Sequence, residues 1–230
     1  MNWSGGKDSA LALWRVLQTN QYQVETLLTS FNETNRRVSM HGIREELIDA
    51  QARRLGISQT KLFLPEDSTV DSYQHRMADT LRPLVETGVT HAVFGDIFLE
   101  DLRQWRETQL ARQSLTGVFP LWKVDSLALL AEFWGAGFAT IVVSVNSAHL
   151  DASFCGRVLD RQFVADLPST VDPCGENGEF HTFVYQSPCF NEAIPVSPGE
   201  TVTRTYTFRD ATGTLLTSTY FFTDLILMQQ

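Results

Sequence analysis

The segment Ser4-Gly5-Gly6-Lys7-Asp8-Ser9 constrains this chain more than any other. It places two adjacent glycines between a β-like start, Met1-Asn2-Trp3, and a helical pattern. Glycines let the backbone approach an anion closely, and the free N–H groups of a helix start point at it. Lys7 adds a point charge, while Ser4 and Ser9 add hydroxyl donors. The combination suits a pyrophosphate group, although the spacing is neither Walker A nor the dinucleotide fingerprint. An ordinary glycine turn before a helix is the plainer alternative. Either way, a strand–turn–helix opening commits the chain to an α/β arrangement.

The next residues keep that alternation. Strand-like runs fall at 24–31, 60–64, 91–95, 118–121 and 140–145, separated by helical stretches at 8–18, 43–55, 70–87, 100–114 and 126–134. Within 43–55, Ile43, Leu47, Ala50 and Arg54 follow helical spacing, and Gly56 stands where a C-terminal cap belongs. The pattern predicts a doubly wound, Rossmann-like parallel sheet that binds ligands at the carboxyl ends of its strands. Asp96 falls at that edge, just past the fourth strand. Only three residues precede the loop, so the central strand is expected to be incomplete. After about residue 148 the pattern changes. Pro168, Pro173, Pro188, Pro195 and Pro198 punctuate it, and runs 201–208 and 214–222 flank a turn at 209–213. Val202, Arg204, Tyr206 and Phe208 share one face of that hairpin and threonines fill the other. Two units are expected: residues 1–148, and a smaller α+β unit over 149–230.

Composition narrows the function. Of 230 residues, 27 are acidic and 18 basic, giving a net charge of −9 with only three lysines, Lys7, Lys61 and Lys123. No basic run exceeds Arg36-Arg37 or Arg53-Arg54, so neither nucleic acid nor an anionic membrane surface is an expected partner. Apolar runs stay far below the ~18 residues of a membrane helix. With the glycine loop so near the start, no secretory leader is expected, and a cytoplasmic location is. Cys155, Cys174 and Cys189 form no C-x-x-C pair and are expected as free thiols. Trp105, Trp122 and Trp134 are expected in the core, and Asp125 as a helix cap. Arg106 and Glu107, with Arg103, are expected on an exposed ion-pair face of a helix.

A second dense cluster runs through Asp172-Pro173-Cys174-Gly175-Glu176-Asn177-Gly178-Glu179-Phe180-His181-Thr182. Glu176 and Glu179, with His181 two residues on, have the chemistry to bind magnesium, take a proton or hold an amine. His181 would titrate near neutrality and so serve as a base. A solvated acidic turn is the bland alternative.

The hexapeptide resembles the PP-loop of ATP-pyrophosphatases, and residues 175–182 match a G-E-x-G-E-F-x-T pattern. With Met40-His41-Gly42, Gln51-Ala52, Leu55-Gly56-Ile57, Gly95-Asp96-Ile97, Arg106-Glu107 and Pro120-Leu121-Trp122, the chain resembles the diphthine–ammonia ligase family, in a divergent subgroup. Asn177 and His181 stand where the family's ligases usually carry glycine and glutamate. The resemblance implies a HUP-type ATP-binding domain, with ATP and Mg²⁺ as cofactors. Ser4, Gly5, Gly6, Lys7, Asp8, Ser9, His41, Gly95 and Asp96 would hold the nucleotide, Asp96 also the metal. Lys7, Glu176, Glu179, His181 and Arg106 would be catalytic. ATP would activate a carboxylate as an acyl-adenylate, and ammonia would displace AMP. The implied partners are ATP or AMP, ammonium and a carboxylate substrate, in the family a modified histidine on a translation elongation factor. A homo-oligomer is open. Two other readings remain at this point: an adenylating enzyme with another small acceptor, and an ATP or AMP sensor without turnover.

Overall fold

The computed structural model describes residues 1–65, 69–209 and 215–228. In chain order the elements are α1 (Lys7–Thr19), β1 (Thr26–Asn32), α2 (Glu45–Leu55), β2 (Ser58–Leu64), α3 (Val70–Glu86), β3 (His91–Val93), α4 (Glu100–Ala111) and β4 (Thr116–Val118). There follow α5 (Ser126–Gly135), β5 (Ala139–Asn146), α6 (Arg161–Asp166), β6 (Phe180–Gln186), β7 (Val196–Arg209) and β8 (Leu215–Leu227). Among the described residues no helix is long and apolar enough to cross a membrane.

β1 pairs in parallel with β2, and β3 with β4. The residues before the glycine loop join the two pairs. Asn2 N–H donates to Val93 O at 2.9 Å, Trp3 N–H to Leu28 O at 2.8 Å, and Leu28 N–H to Met1 O at 2.8 Å. Three residues therefore do the hydrogen-bonding of a central strand, and the resulting sheet runs β2-β1-(1–3)-β3-β4. Successive β1 side chains face opposite layers, as strand pleating requires. Leu27 and Phe31 pack with Leu11, Leu47 and Ile48 of α1 and α2, whereas Leu28 packs with Leu62, Leu81, Phe94 and Leu110 beneath α3 and α4.

β5 departs from the expected parallel sheet. It pairs antiparallel with β6 and β8 in a sheet ordered β6-β5-β8-β7. Its six middle residues are buried, so its near-continuous apolar run reads like that of a parallel strand covered on both faces. β6 lies against α1, and Ile141, Val143, Phe180 and Phe183 belong to the same core as Leu11 and Ile48. One continuous core thus spans the glycine loop's helix and the C-terminal sheet. β4 begins two residues before its expected position, since Pro120, which lacks an N–H, stands in the turn that follows. The expected hairpin is present as β7 and β8, but residues 210–214 of its turn lie outside the described residues.

Other expectations meet mixed outcomes. Asp125 caps α5 by accepting from Ala128 N–H at 2.9 Å. Arg103 and Glu107 form an i,i+4 ion pair at 2.9 Å. All three cysteines are free. Trp105, Trp122 and Trp134 are only half-buried, because each has an edge turned to a polar neighbour or a cavity, whereas Trp3 is the buried one.

Asp224 on β8 ties the hairpin to the segment before α2. Its carboxylate receives Arg37 Nη1 at 3.0 Å and Arg44 Nε at 3.0 Å. Burial raises its pKa, yet the hydrogen bonds from Arg44 and Arg37 prevail and hold it at about 2. A carboxylate depressed in the folded state stabilises above its unfolded pKa, and that contribution disappears as pH falls through the folded value. Asp224→Asn is expected to cost about 2 kcal/mol at pH 7, lowering Tm by about 4–8 °C. Thermal melts are expected to show the gap to the parent protein closing as pH falls from 4 to 2.

Candidate functional site

The glycine loop is held mainly from the C-terminal sheet. Gly5 takes a left-handed φ of +80°, which glycine adopts without strain. Its carbonyl accepts from Val184 N–H of β6 at 2.9 Å and from Gln51 Nε2 of α2 at 2.9 Å. Gly6 is the N-cap of α1, and the Lys7 N–H is capped by Thr182 Oγ1 at 3.0 Å. Ser9 Oγ donates back to Gly6 O at 2.9 Å and sits 3.3 Å from Ser4 Oγ. Gly95 is required by packing: a Cβ there would lie 2.7 Å from the backbone carbon of Asp8. The loop after β3 is thereby pressed onto the first turn of α1.

Lys7 is buried, with its ammonium on both oxygens of Asp8, at 2.9 and 2.8 Å, and on the Cys174 carbonyl. Burial pulls its pKa down, but Asp8, Cys174 and Glu176 more than offset this, so it stays charged. Asp8 is raised, mainly by burial, and Lys7 offsets that only in part. Asp96 is likewise raised by burial, and it lies 2.7 Å from Arg106 Nε in an ion pair. Arg106 stacks over Phe94, its guanidinium 4.5 Å from the ring centre. It therefore pairs with Asp96 and not within its own helix, whereas Arg103 on α4 pairs with Glu107.

The two glutamates of the second cluster separate into different tasks. Glu179 is 1% exposed, and its oxygens accept from Asp172 N–H at 3.0 Å, Asn177 N–H at 2.9 Å and Asn177 Nδ2 at 3.0 Å. Such a carboxylate holds the 172–177 turn in shape and has little capacity left for a ligand. Asp172 helps, accepting from Ser126 Oγ at 2.6 Å and Glu176 N–H at 3.0 Å. Glu176 reaches the other way. Its Oε1 accepts from Ile97 N–H at 2.7 Å, beside Asp96, and it senses the charges of Asp8, Lys7 and Asp96. Burial first, then Asp8, push its pKa up to about 7.

His181 does not titrate near neutrality. Burial, then the neighbouring His41 and Lys7, lower it well below the usual imidazole value, so it is neutral at pH 7. Its ring lies 4.5 Å from that of His41. His41 packs on Gly6, where a Cβ would meet Cε1 at 2.9 Å, and its Nδ1 lies 3.3 Å from Thr182 O. Burial lowers His41 to about 4. Cys174 is raised to about 12, again mainly by burial, and stays a thiol. The structure thus gathers Lys7, Asp8, Gly95, Asp96, Arg106 and Glu176 around one point. His41 and His181 form a neutral wall behind the loop, and Glu179 is set one layer back. In the sequence, Gln51 and Thr182 stand only as parts of the motifs behind the resemblance, and the structure gives each a hydrogen-bonding partner in the loop. The signal for Gln51 was a polar residue among Leu47, Ile48 and Ala52 on an apolar helix face.

At the carboxyl ends of β1 and β2 an open cavity of about 450 Å³ is lined by Asn32, Ser39, Leu64, Val70, Tyr73 and Trp105. Its volume falls within the range of small-molecule sites. A second space beneath α3 and α4, touching Met77, Leu81 and Phe94, holds only about 60 Å³ and is packing slack. Among the described residues no three His, Cys, Asp or Glu side chains converge as a ready metal cage.

A carboxyl group whose pKa rises on folding destabilises the fold as it ionises, between its unfolded and folded values. The parent protein is expected to lose stability from pH 4.5 to 7 through Glu176, and Glu176→Gln to lose less. Denaturant midpoints across that range test this; parallel curves would overturn the assignment.

The chain matches the diphthamide synthase N-terminal domain over residues 1–115 and the diphthamide synthase C-terminal domain over residues 125–212. It is similar to the diphthine–ammonia ligase of Danio rerio, 32% identical over 111 residues, 45% of this chain and 43% of that protein. The Bos taurus diphthine–ammonia ligase is 31% identical over 111 residues, 46% and 42% of the two chains. That of Schizosaccharomyces pombe is 27% identical over 146 residues, 61% of this chain and 23% of the relative. The matched stretches therefore span less than half the length of each relative. With both domains matched in order along it, the chain belongs to the diphthamide synthase family.

Proposed function

We propose that the protein is an ATP-dependent, AMP-forming ligase that joins a carboxylate to ammonia. By their names the relatives join ammonia to diphthine; the reaction class is carried over here, and the acyl substrate is left as a carboxylate. One observation supports this reading above the rest. Glu176, from the turn before β6, closes onto the Ile97 N–H beside Asp96, and the Cys174 carbonyl of the same turn holds the Lys7 ammonium, so the second cluster meets both the glycine loop and the loop after β3.

ATP would supply the adenylyl group that activates the carboxylate, with pyrophosphate leaving. The Gly5–Ser9 loop fits that end, since it couples a left-handed glycine to a helix N-terminus with a charged lysine beside it. Lys7 offsets negative charge as it builds on the leaving group. The cavity at the ends of β1 and β2 fits the nucleoside end. Mg²⁺ on a nucleotide needs only one or two carboxylates besides phosphates. Asp96 would be that carboxylate, with Asp8 near enough for the two charges to interact. Arg106 holds the Asp96 carboxylate in position. Glu176 takes the proton from ammonium, because only neutral ammonia has a lone pair to attack an acyl carbon. Neutral His41 and His181 shape the loop's rear wall, and Glu179 keeps Glu176 in place by holding its turn.

With Mg-ATP, ammonium and a carboxylate acceptor, the expected products are AMP and pyrophosphate. Lys7→Ala is expected to lower kcat on the order of 10²-fold, and Glu176→Gln by about 10²-fold or more. The parent rate is expected to rise with pH through about 7, as Glu176 becomes the free base. The glutamine variant should lack that limb. ADP and phosphate as products would overturn the proposed function.

A further inference from the structure

Gln51 is completely buried on the α2 face that also carries Leu47 and Ile48. Its amide is used at every side that faces the loop. Oε1 accepts from Trp3 Nε1 at 2.9 Å, while Nε2 donates to Gly5 O at 2.9 Å and to Val184 O at 2.7 Å. Gly5 O also receives Val184 N–H at 2.9 Å, so both of its lone pairs are occupied. The Gly5–Gly6 peptide is planar and trans, which makes the Gly5 carbonyl and the Gly6 N–H point in opposite directions. Holding the carbonyl against β6 turns the N–H away from β6. A di-glycine peptide flips at little steric cost, so this orientation depends on the two donors to the Gly5 carbonyl and on Ser4 Oγ, which accepts the Gly6 N–H at 3.3 Å. Two residues earlier on β6, Thr182 Oγ1 accepts the Lys7 N–H at 3.0 Å and sets the first turn of α1.

We infer that Gln51 and Thr182 are positioning residues. They hold the Gly5–Gly6 peptide and the start of α1 in the orientation that receives a pyrophosphate group. The loop is therefore organised for its anion only while β6 is docked on it. This rests on the reading that the loop takes the pyrophosphate end of ATP. Neither side chain touches that ligand: Gln51 acts through the Gly5 carbonyl, and Thr182 through the Lys7 amide.

The test titrates the full chain by calorimetry with inorganic pyrophosphate, ATP and adenosine, alongside thermal unfolding. Gln51→Met and Thr182→Val are expected to weaken pyrophosphate and ATP binding by about ten-fold or more, with adenosine affinity unchanged. Thr182→Ser, which keeps the acceptor oxygen, is expected to restore binding. Folded Gln51→Met with parental pyrophosphate affinity would overturn the inference, as would an equal loss for adenosine. Should Gln51→Met fail to fold, the Thr182→Val and Thr182→Ser pair decides in the same way. A parent protein that binds adenosine but no pyrophosphate would sink the pyrophosphate-loop reading itself, a result visible without any variant.

Discussion

The contact on which the rest depends is the double hydrogen bond to the Gly5 carbonyl. One donor comes from α2 and one from β6, so a single oxygen joins the parallel sheet's first helix layer to the C-terminal sheet. A buried carbonyl left without partners would cost on the order of 1–3 kcal/mol. That cost makes the loop and β6 mutually dependent. The same contact explains why the Val184 and Thr182 region lies so close to the loop. His41, Thr182 and His181 fill the space behind Gly6, where a Cβ would meet His41 Cε1 at 2.9 Å and Thr182 O at 3.1 Å.

Around that join, burial sets the charge states. Desolvation disfavours whichever form is charged. It therefore raises Asp8, Asp96 and Glu176 while lowering His41 and His181. Lys7 escapes the same effect because Asp8 lies on it and Cys174 and Glu176 are near. The outcome is a cluster with two secure cations, Lys7 and Arg106, a carboxylate poised near neutrality, and two imidazoles kept neutral. Cys174, at about 12, stands in the middle of it as an inert thiol whose backbone carbonyl does the binding.

The second cluster is a framework that leaves one carboxylate, Glu176, reaching away from its own turn. Glu179 and Asp172 spend their oxygens on the backbone of the turn between them, which lets the Gly175-Glu176-Asn177 segment stay irregular and still be fixed. Gly175 has a φ of +69°, and a Cβ there would meet Phe180 O at 2.8 Å. The turn thus folds back tightly on the start of β6, and Glu176 is carried over to the loop after β3. Asp224 fastens β8 to Arg37 and Arg44 in the same way, anchoring the far side of the sheet.

Local sequence determined much of this on its own. Alternating strand and helix runs, Gly56 at the end of α2 and Asp125 before α5 are short-range signals, because propensity and capping act over a few residues. The glycine loop was legible for the same reason: its chemistry resides in six consecutive residues. Tertiary structure alone decided the rest. Nothing local distinguishes a strand buried on two faces in a parallel sheet from β5, buried at the centre of an antiparallel one. The different tasks of Glu176 and Glu179 depend on which backbone amides each one reaches, and those of Ile97 lie 79 residues away. His181 read as a neutral-pH base until its burial beside His41 was known. Gln51 looked like one polar residue on an apolar face, and only the approach of β6 gave its amide two carbonyls to hold. Charge state and hydrogen-bond partnership are set by groups far apart in the chain, and folding is what brings them together.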